Sequence, residues 1–162
     1  MAVNRSGARY RSLHLPCTIG KGGIGHKRGE GDGITPIGRW RIAEVHYRAD
    51  RIPPPAGWPE NPIGPADIWS DDPDDPAYNH GLRSHRHRFS HEAMFRGDPL
   101  YDLVGILDFN WPKATPGAGS AIFLHCWRSP HHPTAGCIAF APPILRFILE
   151  TWQPDARVVV TP

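Results

Sequence analysis

Between Arg51 and Arg86 the chain leaves little room for a regular element. Pro53-Pro54-Pro55 removes three consecutive amide donors, and Asp71-Asp72-Pro73-Asp74-Asp75-Pro76 breaks any hydrogen-bonded ladder twice. The same punctuation recurs elsewhere, with 19 prolines and 17 glycines in 162 residues. Such a chain cannot build long helices, so it must use many short elements joined by shaped loops. The 51–86 segment therefore reads as a solvated loop. A loop of that length inside a compact domain is more often functional than idle, so it is expected to wall a cleft.

Strand-like runs appear between the breaks. Leu13 to Ile19 ends in Gly20-Lys21-Gly22-Gly23-Ile24-Gly25, and Arg39 to Val45 alternates polar with apolar residues. Tyr101 to Phe109, Ala121 to Leu124 and the Val-rich Arg157 to Thr161 complete the set, with Ser90 capping a short helical turn towards Arg96. After Cys137 a helix is expected. Pro142 and Pro143 suit its first turn, Ile144, Leu145, Ile148, Leu149 and Trp152 share one face, and Pro154 ends it. With about six strands, one good helix and no repeat, residues 1–162 read as one mainly β domain.

Several function classes are excluded at this level. Net charge is +2, too balanced for a nucleic-acid partner, and no run is long enough to span a bilayer. Nor do basic residues at the N-terminus precede an apolar run, so no signal peptide is visible; read literally, the protein is cytoplasmic. The glycine-rich loop at 20–25 lacks Gly-Lys-Ser/Thr and the helix a phosphate cradle needs. His85, His87 and His91 have zinc-like spacing, but Arg83, Arg86 and Arg88 would repel a cation, so no metal site is assigned. Cys17, Cys126 and Cys137 are too few for a disulfide framework.

The chemistry concentrates in Ser120–Phe140. His125 follows a short buried strand, and Thr134-Ala135-Gly136-Cys137 forms a tight corner twelve residues on. A thiol is nucleophilic only as thiolate and needs a base nearby. A single cysteine is ordinarily a small buried hydrophobe, which suits Cys17 and Cys126. Cys137 differs, because Gly136 permits a sharp turn whose amides can face a developing oxyanion, with a helix N-terminus beyond it and the Thr134 hydroxyl three residues before. From the residues alone, a buried thiol and a reactive one both remain open.

The sequence Ser120-Ala-Ile-Phe-Leu-His125 followed by Thr134-Ala-Gly-Cys137 resembles the catalytic motif of L,D-transpeptidase domains. Glu30-Gly31-Asp32-Gly33-Ile34-Thr35-Pro36-Ile37-Gly38 is similar to that family's first conserved block, and the two stand in the family's order. Asp71-Asp72-Pro73, Tyr78-Asn79 and Leu100-Tyr101-Asp102 look like a compact, single-domain branch of it. The resemblance implies a β-sandwich or mixed-sheet domain with a Cys–His site under a loop flap, working without a cofactor. It implies that Cys137 attacks a peptidoglycan stem peptide, that D-alanine leaves, and that an amine resolves the thioester. Water in place of the amine would make a carboxypeptidase, and a silent binding domain is the alternative of another class. His125 would move the proton, the amides of Gly136 and Cys137 would hold the oxyanion, and Thr134 would orient the site. The family also implies a cell-envelope location. Many members carry Ile-Arg after the cysteine, where this chain has Ile138-Ala139; Arg128, Arg96 or the 83–91 cluster would then hold the donor's carboxylate.

Overall fold

A computed structural model describes the whole of Met1–Pro162. It holds fourteen short strands and one α-helix. In chain order the strands are β1 (Ala2–Asn4), β2 (Gly7–Tyr10), β3 (Leu13–Leu15), β4 (Ile24–Gly25), β5 (Thr35–Pro36), β6 (Gly38–Trp40) and β7 (Ile42–Tyr47). Then come β8 (Asp67–Ser70), β9 (Gly81–Arg83), β10 (His91–Ala93), β11 (Leu103–Leu107), β12 (Phe123–Cys126), β13 (Ile138–Phe140), helix α1 (Pro142–Glu150) and β14 (Val158–Val160).

Three sheets matter for the site. A five-stranded sheet runs β3-β2-β1-β14-β6, with the C-terminal β14 parallel to β1. A four-stranded sheet runs β13-β12-β11-β7, and a three-stranded sheet runs β10-β8-β9. Every residue of β11, β12 and β13 is buried, as expected of strands covered on both faces. Their side chains alternate between two cores. Leu103, Leu107, Leu124, Cys126 and Phe140 join the larger core with α1 and the five-stranded sheet. Val104, Ile106 and Phe123 face the other way, onto Trp69 and Met94 of the three-stranded side.

Helix α1 forms as its sequence predicts. Prolines occupy its first positions, and Leu145, Ile148 and Leu149 are buried. Trp58 Nε1 donates to the Leu149 carbonyl at 2.8 Å, satisfying one of the acceptors a helix end leaves open.

The expectations fail in four places. Residues 51–86 are not all loop, because Asp67–Ser70 is the central strand of the three-stranded sheet and Gly81–Arg83 its edge. The prolines break the segment at both ends of β8 without entering it. Ser90–Arg96 is no helical turn, since His91–Ala93 pairs with β8. The N-terminal β1–β2 hairpin, turned by Asn4 Oδ1 accepting from the Ser6 amide at 2.9 Å, was not anticipated. Finally, β13 stands between Cys137 and α1, so the helix N-terminus does not begin at the thiol.

Candidate active site

The parallel pairing of β12 with β13 brings His125 and Cys137 to one place. Leu124 lies opposite Ile138 and His125 opposite Ala139, so Cys137, just before β13, comes level with Phe123. Its sulfur accepts from the Phe123 amide at 3.3 Å and donates to the Ala121 carbonyl at 3.1 Å. His125 is two residues beyond Phe123 and therefore on the same face of the strand. Its Nδ1–H donates to the Cys126 carbonyl at 2.8 Å, which leaves Nε2 as the basic nitrogen, without a partner in the chain. Cys137, His125, Thr134, Arg96 and Arg128 line one cavity of about 440 Å³.

The corner before the thiol is tied from within. Thr134 Oγ1 donates to the Cys137 carbonyl at 2.6 Å and accepts from the Gly136 amide at 3.1 Å. The Gly136 amide, assigned to an oxyanion on sequence grounds, is thus already engaged. The Cys137 amide has no acceptor in the chain and is the donor that remains. Gly136 sits at φ +146°, and a Cβ there would come within 3.0 Å of the Ile34 carbonyl oxygen.

The upstream glycine block holds this corner from outside. Thr35, fully buried, accepts from the Gly20 amide and donates to the Gly136 carbonyl, both at 2.8 Å. Backbone bonds from Lys21 to Thr134 and from Thr134 to Ile19 add a second tie. Lys27 and Asp32 form an ion pair at 2.6 Å with side chains only 5% and 9% exposed. These charges are buried beside Gly136. Burial works to raise the Asp32 carboxyl, but the Arg28 amide, Lys27 and the Ile34 amide outweigh it and hold it below its ordinary value.

Electrostatics keep the resting pair neutral. Burial, with the nearby Glu92 charge, pushes the Cys137 thiol up to about 12 against smaller opposing effects of the Phe123 amide and Lys27. Burial pulls the His125 imidazole down to about 4, only partly offset by the Cys126 carbonyl. A preformed thiolate–imidazolium pair is therefore disfavoured, and charge must develop as a substrate arrives.

The flanking cations differ. Arg96 is paired with Asp98 at 2.7 Å and lies over the Tyr101 ring, whereas Arg128 makes no ion pair. In the His/Arg cluster, His87 Nε2 meets the buried Asp75 at 2.7 Å and Arg83 meets Asp67 at 3.2 Å. No group of His, Cys, Asp or Glu converges as a metal site, and all three cysteines are free.

Sequence reasoning missed four supports. Asn79, at φ +58°, accepts from the Trp69 indole and the Ala121 amide, so it fixes the residue whose carbonyl accepts the thiol's hydrogen bond. Glu92 lines the cavity and accepts from the Tyr101 hydroxyl, whose ring stands edge-on to His125 at 5.5 Å. Thr35, with Asp32, lies within the Glu30–Gly38 block and Lys27 just before it, but no local pattern reveals what they touch.

The sequence profile of the YkuD family, L,D-transpeptidase catalytic domains, matches residues 2–160. The chain belongs to that family. No curated protein and no solved structure matches it. Membership in the YkuD family assigns L,D-transpeptidase-type acyl transfer on peptidoglycan as the family's chemistry and associates it with the cell envelope. No helix is long and apolar enough to cross a membrane.

Proposed function

We propose that residues 1–162 act as one catalytic domain, a cysteine-dependent L,D-transpeptidase of peptidoglycan stem peptides. The observation that carries this reading is the opening of Cys137 and an unpartnered His125 Nε2 onto the same cavity within a YkuD domain. On this reading the Cys137 proton passes to His125 Nε2 as sulfur attacks the carbonyl after the L-centre of a meso-diaminopimelate residue. The Cys137 amide stabilises the oxyanion, while Thr134 and Gly136 hold the corner in shape and so orient the thiol. His125 then protonates the departing D-alanine, leaving a thioester on Cys137. An amine of a second stem resolves it, forming a cross-link and regenerating the thiol.

Arg128 is assigned the donor's carboxylate, because it lines the cavity with no acidic partner, while Arg96 is held by Asp98 and shapes the same wall. Ala139, paired between His125 and Thr18, lines the same cavity at the position where many family members carry an arginine. Cross-linking of this kind serves cell-wall organisation and cell shape, and it places the enzyme's work in the cell envelope.

Intact-protein mass spectrometry after exposure to a carbapenem tests the acyl-enzyme. One adduct on Cys137 is expected, absent in Cys137→Ala and formed much more slowly in His125→Ala. An adduct that persists in Cys137→Ala would overturn the assignment.

A further inference from the structure

Glu92 occupies an unusual position for a charged residue. It lies on the short strand β10, where its neighbours His91 and Ala93 are exposed while Glu92 itself is turned inward. There it lines the cavity that holds Cys137 and His125. Its only hydrogen bond is from the Tyr101 hydroxyl to Oε2, so Oε1 is left without a partner. No cation of the chain pairs with it. Arg96 is committed to Asp98 at 2.7 Å, and Lys27 to Asp32 at 2.6 Å. Burial raises the Glu92 carboxyl above its ordinary value, and the like charges of Asp71 and Glu30 add to this, against the lowering effects of the Tyr101 hydroxyl and of Arg96. A second polar group on the same cavity is also unsatisfied. Thr18, only 7% exposed, has a hydroxyl with no partner, and it stands in a row with Ala139 and His125 across the paired backbone. A half-buried carboxylate with no ion-pair partner is costly unless a ligand supplies a cation.

We propose that Glu92 is the acceptor-side residue of this site: it binds the ammonium group of the incoming amine beside Cys137 and takes its first proton. The proposal rests on the acyl-enzyme reading above and deepens it by naming what Cys137 and His125 do not provide. An acceptor amine arrives protonated, and an ammonium has no lone pair with which to attack. One N–H proton passes to the Glu92 carboxylate, giving a neutral amine and a carboxylic acid. The nitrogen lone pair then forms the C–N bond at the thioester carbonyl carbon. The C–S bond breaks with its electron pair returning to Cys137 sulfur, and the second proton travels from nitrogen through His125 Nε2 to that sulfur. Glu92 afterwards returns its proton to solvent. Water bears no positive charge and draws no such help, so Glu92 biases the thioester towards cross-linking over hydrolysis.

The test follows the two half-reactions separately in the full chain. The donor is a tetrapeptide stem; the acceptors are a second tetrapeptide and hydroxylamine, which is uncharged near neutral pH. Glu92→Gln is expected to acylate at least as fast as the parent, because it removes a negative charge that opposes Cys137 ionisation. Cross-linking to the peptide amine is expected to fall about a hundredfold while hydroxylamine still resolves the thioester at the parental rate. Glu92→Asp, which keeps the charge, is expected to retain more peptide aminolysis than Glu92→Gln. Equal loss with both acceptors, parental cross-linking by Glu92→Gln, failure of folded Glu92→Gln to acylate, or an Asp variant no better than Gln would each overturn the proposal. If the parent itself forms no thioester on Cys137, the acyl-enzyme reading fails instead, which is a separate and recognisable result.

Discussion

Replacing Thr35 by valine removes one hydroxyl and little volume, so it isolates the tie between the upstream block and the thiol corner. That hydroxyl satisfies two buried groups at once, the Gly20 amide and the Gly136 carbonyl, each at 2.8 Å. Thr35 is fully buried, so water cannot take its place without rearrangement. An unsatisfied buried donor or acceptor costs about 1–3 kcal/mol, and partial relaxation brings the pair to about 2–4 kcal/mol. In urea this appears as a lower midpoint with an unchanged slope, and on heating as a fall of roughly 5–15 °C for a domain of this size. The consequence for chemistry is separable from stability. Gly136 immediately precedes the thiol, and small misplacements of a reacting group slow reactions steeply, so Cys137 acylation by a carbapenem should slow by about tenfold or more in protein that remains folded. Thr35→Ser, which restores the hydroxyl, should recover most of that rate. A loss below about 0.5 kcal/mol in Thr35→Val, or a serine variant no faster than valine, would refute the reasoning.

Two further outcomes follow from the same geometry. A Cβ on Gly20 would stand 2.0 Å from the Gly33 carbonyl oxygen and 3.0 Å from Gly136 Cα, so Gly20→Ala must displace backbone on both sides. It should cost about 2 kcal/mol or more in chemical denaturation and slow acylation, and parental stability would show that the two segments are not pressed together. For His125, the folded imidazole titrates near 4 against 6.5 when free. Between those values the unfolded chain binds the extra proton, so stability is complete above pH 6.5 and falls as pH drops towards 4, by about 3 kcal/mol. Urea titrations across this window should show a flatter slope in His125→Gln, and equal slopes would remove His125 as the source.

The local chemistry of the site was legible in the chain because it is written in neighbouring residues. Thr134, Gly136 and Cys137 are close in sequence, the prolines of α1 sit where a first turn accepts them, and Gly136 does adopt a positive φ. Strand bounds were less legible. Asp67–Ser70 carries only four residues between breakers, and its place at the centre of a sheet comes from pairing with β9 and β10, which no local pattern encodes. His91–Ala93 reads as a capped turn until β8 supplies the ladder that makes it a strand.

Composition and spacing are legible along the chain: a proline- and glycine-broken β chain with a base, a hydroxyl and a thiol in a set order. The tertiary structure decided everything that depends on distance through space. It turned the Gly136 amide to Thr134 and left Cys137's own amide without an acceptor. It buried Lys27 with Asp32, tied Thr35 to a carbonyl 101 residues away, and set Glu92 on the thiol's cavity without an ion-pair partner. The physical reason is common to all of these. A hydrogen bond or a buried charge is defined by its partner, and here the partners lie on other strands.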